Sequence, residues 1–72
     1  MINGIIMSGK IRQLIDDLIE IRSQGNPSLA STTRTKLLLK GIDSTKYSSS
    51  SEDDAATIAK IKQIAQEMNI SL

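Results

Sequence analysis

Apolar residues recur every three or four positions in two stretches of the chain, which is the spacing of one face of an α-helix. In the first stretch they cover an arc of about 160° when successive residues are placed 100° apart. They are Ile11, Leu14, Ile15, Leu18, Ile19 and Ile21. In the second they cover about 120°. They are Ile58, Ile61, Ile64, Ala65 and Met68. The spacing predicts amphipathic helices over about residues 8–24, helix 1, and 52–68, helix 3.

The segment between these stretches carries its own start and stop signals for a helix. Asn26 can accept a hydrogen bond from a free amide as an N-cap, and Pro27 suits the first helical position, where no donor is needed. Lys40 places a cation near the last carbonyls, while Gly41 and Ile42 fit the left-handed closure that commonly ends a helix. We therefore predict helix 2 over residues 27–40.

Helix 2 differs from the other two because it has no single apolar face. Leu37, Leu38 and Leu39 spread over about 200° of its surface, so one neighbouring helix cannot bury all three. We expect helix 2 to be the central helix and a partner to cover what remains exposed. The predicted contact residues are Leu38, Leu39, Thr32 and Thr35, and the partner is another protein or a second copy of the chain.

A polar segment over residues 43–50 separates helix 2 from helix 3 and is predicted to be a loop. Ser51 is the expected N-cap of helix 3, and the acids that follow it, Glu52, Asp53 and Asp54, suit the positive end of its dipole. The fold prediction is all-α, a small three-helix antiparallel bundle. Residues 8–72 form one helical domain in this prediction, and residues 1–7 form an N-terminal extension.

Composition narrows the chemistry, because the 72 residues include no cysteine and no histidine. Thiolate zinc sites, cysteine nucleophiles and the usual general base at neutral pH are thereby excluded. Asp16, Asp17 and Glu20 are explained as the solvated face of helix 1 rather than as metal ligands. We expect no catalytic residue, no cofactor, no metal ion and no small-molecule ligand.

The front half of helix 2 supports an alternative function, nucleic-acid binding. It is crowded with hydroxyl residues, which are poor helix formers and so suggest a role other than helix formation. Helices 1 and 2 would then form a helix-turn-helix that contacts nucleic acid. The contact residues in that case are Ser28, Ser31, Thr32, Arg34 and Lys36. The favoured explanation is instead a helical hairpin whose threonine hydroxyls bond the carbonyl one turn back, since the net charge of +1 is low for a DNA-binding domain.

These observations predict a non-enzymatic protein-interaction or regulatory module. The apolar run at residues 1–7 lacks a basic leader and is too short for a membrane span, so the expected location is the cytoplasm and no membrane partner is expected.

Overall fold

The computed structural model describes residues 9–72, which form three α-helices packed against each other. The helices are α1, Lys10–Ser23, α2, Pro27–Leu39, and α3, Ala55–Glu67, with a short 3-10 turn at Ser44–Lys46 before α3. The all-α, three-helix prediction is confirmed. The predicted extension at residues 1–7 lies outside the described residues.

The core is aliphatic and is contributed by all three helices and by the residues that follow α2 and α3. Its buried members are Ile11, Leu14, Ile15, Leu18, Ile19, Leu37, Ile42, Ile61, Ile64, Ala65 and Ile70. The predicted apolar arc of α1 is confirmed except at its edge, where Ile21 is 47% exposed. Ile58 and Met68 of the predicted arc of helix 3 are only partly buried, and they pack against this core.

Local signals place both ends of α2 where the sequence predicted them, within one residue. The Asn26 side chain accepts hydrogen bonds from the amides of Ser28 (2.9 Å) and Leu29 (3.3 Å), and Pro27 is the first helical residue. At the other end Gly41 has φ +94°, and the Ile42 amide donates to the Leu37 carbonyl (2.8 Å). This is the left-handed closure described above, and it carries Ile42 into the core.

The start of α3 corrects the prediction, because Asp54 rather than Ser51 is its N-cap and the helix begins at Ala55. Ser51 is already engaged in the loop: its carbonyl accepts from the Gly9 amide (3.0 Å), and its hydroxyl accepts from the Ser48 amide (2.8 Å). The hydrogen bonds from the Thr57 hydroxyl and then the Ala56 amide hold the pKa of Asp54 below its ordinary value. Both bonds favour the charged carboxylate.

Asp53, the neighbouring acid, serves a different helix. Its Oδ1 accepts a hydrogen bond from the amide of Lys10 at 3.0 Å, at the start of α1. Gly9 precedes α1 and makes no side-chain cap. The segment before α3 therefore supplies the cap that α1 lacks, and it holds the starts of the two helices together.

The central helix is α1, because it packs against both α2 and α3. The expectation that helix 2 is central is wrong, since only a narrow stripe of α2 is buried. Arg12 of α1 also fixes the loop after α2, donating to the carbonyls of Ser44 (2.8 Å) and Tyr47 (3.3 Å). The end of α2 is joined to the end of α3 by the ion pair of Lys40 and Glu67 (2.7 Å).

Gly9 provides a test of the contact between the loop and α1. Both Gly9 and Gly25 have φ +83°, but a Cβ at Gly9 would lie 2.7 Å from the backbone oxygen of Ser49, while one at Gly25 would meet nothing within 4 Å. We expect Gly25→Ala to lower the free energy of unfolding by about 1 kcal/mol through backbone strain. Gly9→Ala should cost at least about 1 kcal/mol more, because the loop must move.

Urea unfolding followed by the helical circular dichroism signal measures both variants, with Gly25→Ala as the matched control. Equal losses would contradict the close packing of the loop against α1.

Candidate functional site

Most of the surface of α2 faces solvent. Only Thr33 and Leu37 of this helix are buried, and Ala30 beside them is partly buried. The remaining leucines are exposed, Leu39 at 82%, Leu38 at 55% and Leu29 at 45%. Burying a leucine side chain is worth about 1.5–3 kcal/mol, so this helix presents apolar surface that the described fold does not use.

Three of the four predicted partner contacts share one side of α2. Ser28, Thr32, Thr35 and Leu39 follow each other at spacings of four, three and four residues, which places them on one line along a helix. We call this line the outward stripe, because it lies opposite the buried Thr33 and Leu37. Leu38 lies about 100° from Leu39 around the helix and therefore flanks the stripe.

The threonine hydroxyls of α2 are engaged with the helix backbone. Thr32 donates to the Ser28 carbonyl (3.0 Å), Thr33 to the Leu29 carbonyl (2.7 Å) and Thr35 to the Ser31 carbonyl (3.2 Å). A hydroxyl has one hydrogen to donate. Thr32 and Thr35 therefore present methyl groups and acceptor oxygens on the outward stripe, and donation to a phosphate would require breaking these bonds.

The residues predicted to contact nucleic acid are all exposed, but they do not form one compact patch. Arg34 and Lys36 lie about 160° apart around α2, on opposite flanks of the outward stripe. Lys40 is held by Glu67, which reduces the local basic excess. Within residues 9–72, no carboxylate oxygen lies within 4.0 Å of the charged groups of Arg34 or Lys36.

A groove runs between α1 and the first half of α2. Its open volume is about 320 Å³, and Asp16 and Glu20 of α1 line one wall while Arg34 of α2 lines the other. Ile19, Ala30 and the buried Ser23 also line it. The sequence showed Asp16 and Glu20 on one helical face, but it did not show that Arg34 lies across from them.

Residues 9–72 contain neither a metal-binding cluster nor a membrane-spanning helix. Among residues 9–72, no three acidic side chains gather closely enough to hold a metal ion. None of the three helices in that range combines the length and apolar character needed to cross a membrane.

No protein family, curated protein sequence or solved structure matches this chain.

The hydroxyls of the outward stripe yield a stability test. Thr32→Ala and Thr35→Ala should each raise the free energy of unfolding by about 0.5 kcal/mol, because alanine is the better helix former and neither side chain is buried. Thr33→Ser, which removes a buried methyl group, should lower it by about 1 kcal/mol and serves as the control.

Urea unfolding of the three variants measures these changes. A loss of stability in the Thr32 and Thr35 variants would mean that the fold itself needs these threonines, and it would remove one reason for assigning them to a contact surface.

Proposed function

We propose that this chain is a non-enzymatic protein-interaction or regulatory module, in which a partner covers the outward stripe and the leucines of α2. The observation that carries the proposal is the 82% exposure of Leu39, next to Leu38 at 55%. Scattered exposed leucines are common on protein surfaces. Two adjacent ones at the end of a helix that also carries exposed threonines form a larger surface for contact.

The position of these leucines favours binding because the end of α2 that carries them is anchored to the rest of the fold. The closure at Gly41 and Ile42 anchors the end of α2 in the core, and the ion pair between Lys40 and Glu67 ties it to α3. A surface that is already ordered loses less conformational entropy when a partner binds. Leu39 can therefore contribute most of its burial energy to association.

We propose a non-enzymatic protein because the chain has neither histidine nor cysteine, the side chains that most often serve as general base or nucleophile. A cytoplasmic location is part of the same proposal. Thr35 contributes a methyl contact one turn from Leu39, Thr32 contributes one a further turn along the outward stripe, and Leu38 extends the surface towards Arg34.

Nucleic-acid binding is the alternative function. It is favoured by the exposure of Ser28, Ser31, Thr32, Arg34 and Lys36 on one helix. Two observations weigh against it: the Thr32 hydroxyl is donated to the backbone, and the net charge of the chain is only +1.

The first test of the main proposal is Leu39→Glu, with Ile21→Glu on α1 as the matched control, since Ile21 is also exposed. Leu39→Glu should abolish capture of a partner while the helical signal is unchanged, because a charge cannot enter an apolar contact without a large desolvation cost. Ile21→Glu should retain the partner. Capture by immobilised protein, with the bound proteins identified by mass spectrometry, measures the difference.

Identical capture by the wild type and both variants would contradict a contact through Leu39.

The alternative is tested by titrating the chain with duplex DNA at increasing salt. If it binds DNA, affinity should fall steeply with salt through counterion release, and Arg34→Ala should weaken it while Lys62→Ala on α3 should not. Fluorescence anisotropy of labelled DNA measures the affinity. Absence of binding at low salt, or binding that salt does not change, would exclude the alternative.

A further inference from the structure

The groove between α1 and α2 carries opposite charges that the chain does not pair with each other. We infer that this groove face binds a second copy of the chain, with α1 of one copy lying over α2 of the other. The face is defined by Asp16, Ile19 and Glu20 on α1 and by Ala30 and Arg34 on α2. The inference goes beyond the proposed function, because it identifies the partner and uses the groove face, which shares only the flanking Leu38 with the surface proposed above.

Charge is the first observation behind this inference. Glu20 and Arg34 line opposite walls of one groove, yet no carboxylate oxygen of residues 9–72 lies within 4.0 Å of the Arg34 guanidinium. Asp16 is paired within its own helix, with Arg12 at 2.7 Å. Glu20 and Arg34 are thus both available to a partner that presents the complementary charges, and the groove face of a second copy does so.

Symmetry decides how two copies would meet. A two-fold axis that runs along the helices, between the facing grooves, places α1 of each copy over α2 of the other. Glu20 of one copy then faces Arg34 of its partner, and the same pair forms twice. A two-fold axis across the helices would instead place α1 over α1 and oppose the acids of the two copies, which is unfavourable. The charge pattern therefore selects the first arrangement.

The floor and rim of the groove provide apolar contact for the same arrangement. Ile19 and Ala30 line the floor, and Leu38 lies one helical turn beyond Arg34 on the same side of α2. Two hairpins related in this way form four helices around a shared interior. Ile19 already belongs to the core of each copy, so the apolar surface that this arrangement newly buries comes from the exposed Leu38 and the partly buried Ala30.

The test is sedimentation equilibrium of the purified full chain with two charge reversals. The wild type should self-associate reversibly, more weakly as salt is raised. Arg34→Glu and Glu20→Lys should each raise the dissociation constant at least about tenfold, because the two-fold axis alters two pairs at once. An equimolar mixture of the two variants should restore the dimer, since positions 20 and 34 are both negative in the first variant and both positive in the second.

Matched controls make the same charge changes outside the groove face. Lys36→Glu lies on the opposite flank of α2, and Asp17→Lys lies on α1 but does not line the groove. Both should dimerise as the wild type does, within about twofold, because single exposed charges far from an interface change affinity little. The helical signal of every variant should match that of the wild type, since all four side chains are exposed.

Two results would overturn the inference. One is a wild-type chain that stays monomeric up to about 1 mM, the weak end of specific association. The other is a mixture of Arg34→Glu and Glu20→Lys that associates no better than either variant alone. Neither result bears on the outward stripe, because Leu39 lies outside the groove face, so failure here and failure of the proposed function are distinguishable.

Discussion

The backbone amides of Gly9 and Lys10, at the start of α1, are bound by the loop that precedes α3, and these bonds hold the starts of α1 and α3 together. The Gly9 amide donates to the Ser51 carbonyl, and the Lys10 amide donates to Asp53, 43 residues further along the chain. The first amides of a helix have no partner within the helix, and a side-chain oxygen that accepts from one of them stabilises the helix. By supplying their acceptors, the loop fixes where α3 begins relative to α1. Gly9 permits this approach because it has no side chain to collide with the Ser49 carbonyl.

The central place of α1 follows from how the apolar surface is divided among the helices. α1 buries a wide face that both neighbours share, whereas α2 buries little more than Thr33 and Leu37. Thr33 can be buried because its hydroxyl bonds the Leu29 carbonyl and leaves no unpaired donor. Because α2 makes only a narrow contact with the core, its outer side has exposed leucines and a groove stays open between it and α1.

These two surfaces differ in physical character. The outward stripe is apolar around Leu39, so association through it depends on burial and changes little with salt. The groove face is charged, with Glu20 across from Arg34, so it favours one orientation of a partner and weakens as salt is raised. Under the two proposals, the chain would join a second copy through the groove face and a different partner through the outward stripe.

Signals confined to a few consecutive residues could be predicted from the sequence. The cap at Asn26 and the closure at Gly41 and Ile42 each involve groups within five residues of one another. Their geometry is set by the helix itself, so the residue types suffice to predict them. Of the candidate site, the line of Thr32, Thr35 and Leu39 follows from helical spacing in the same way.

Tertiary structure decided the features that join distant parts of the chain. Ser51 and Asp53 resemble parts of one helix cap in the sequence, but the folded chain brings the free amides of α1 next to them, and they bind those amides instead. Helical periodicity also cannot show which helix is central or that Arg34 lies across a groove from Glu20. Three helices and most of their ends follow from the sequence, because caps and periodicity are local. The packing determined which amides, charges and leucines meet, because that depends on contacts between helices.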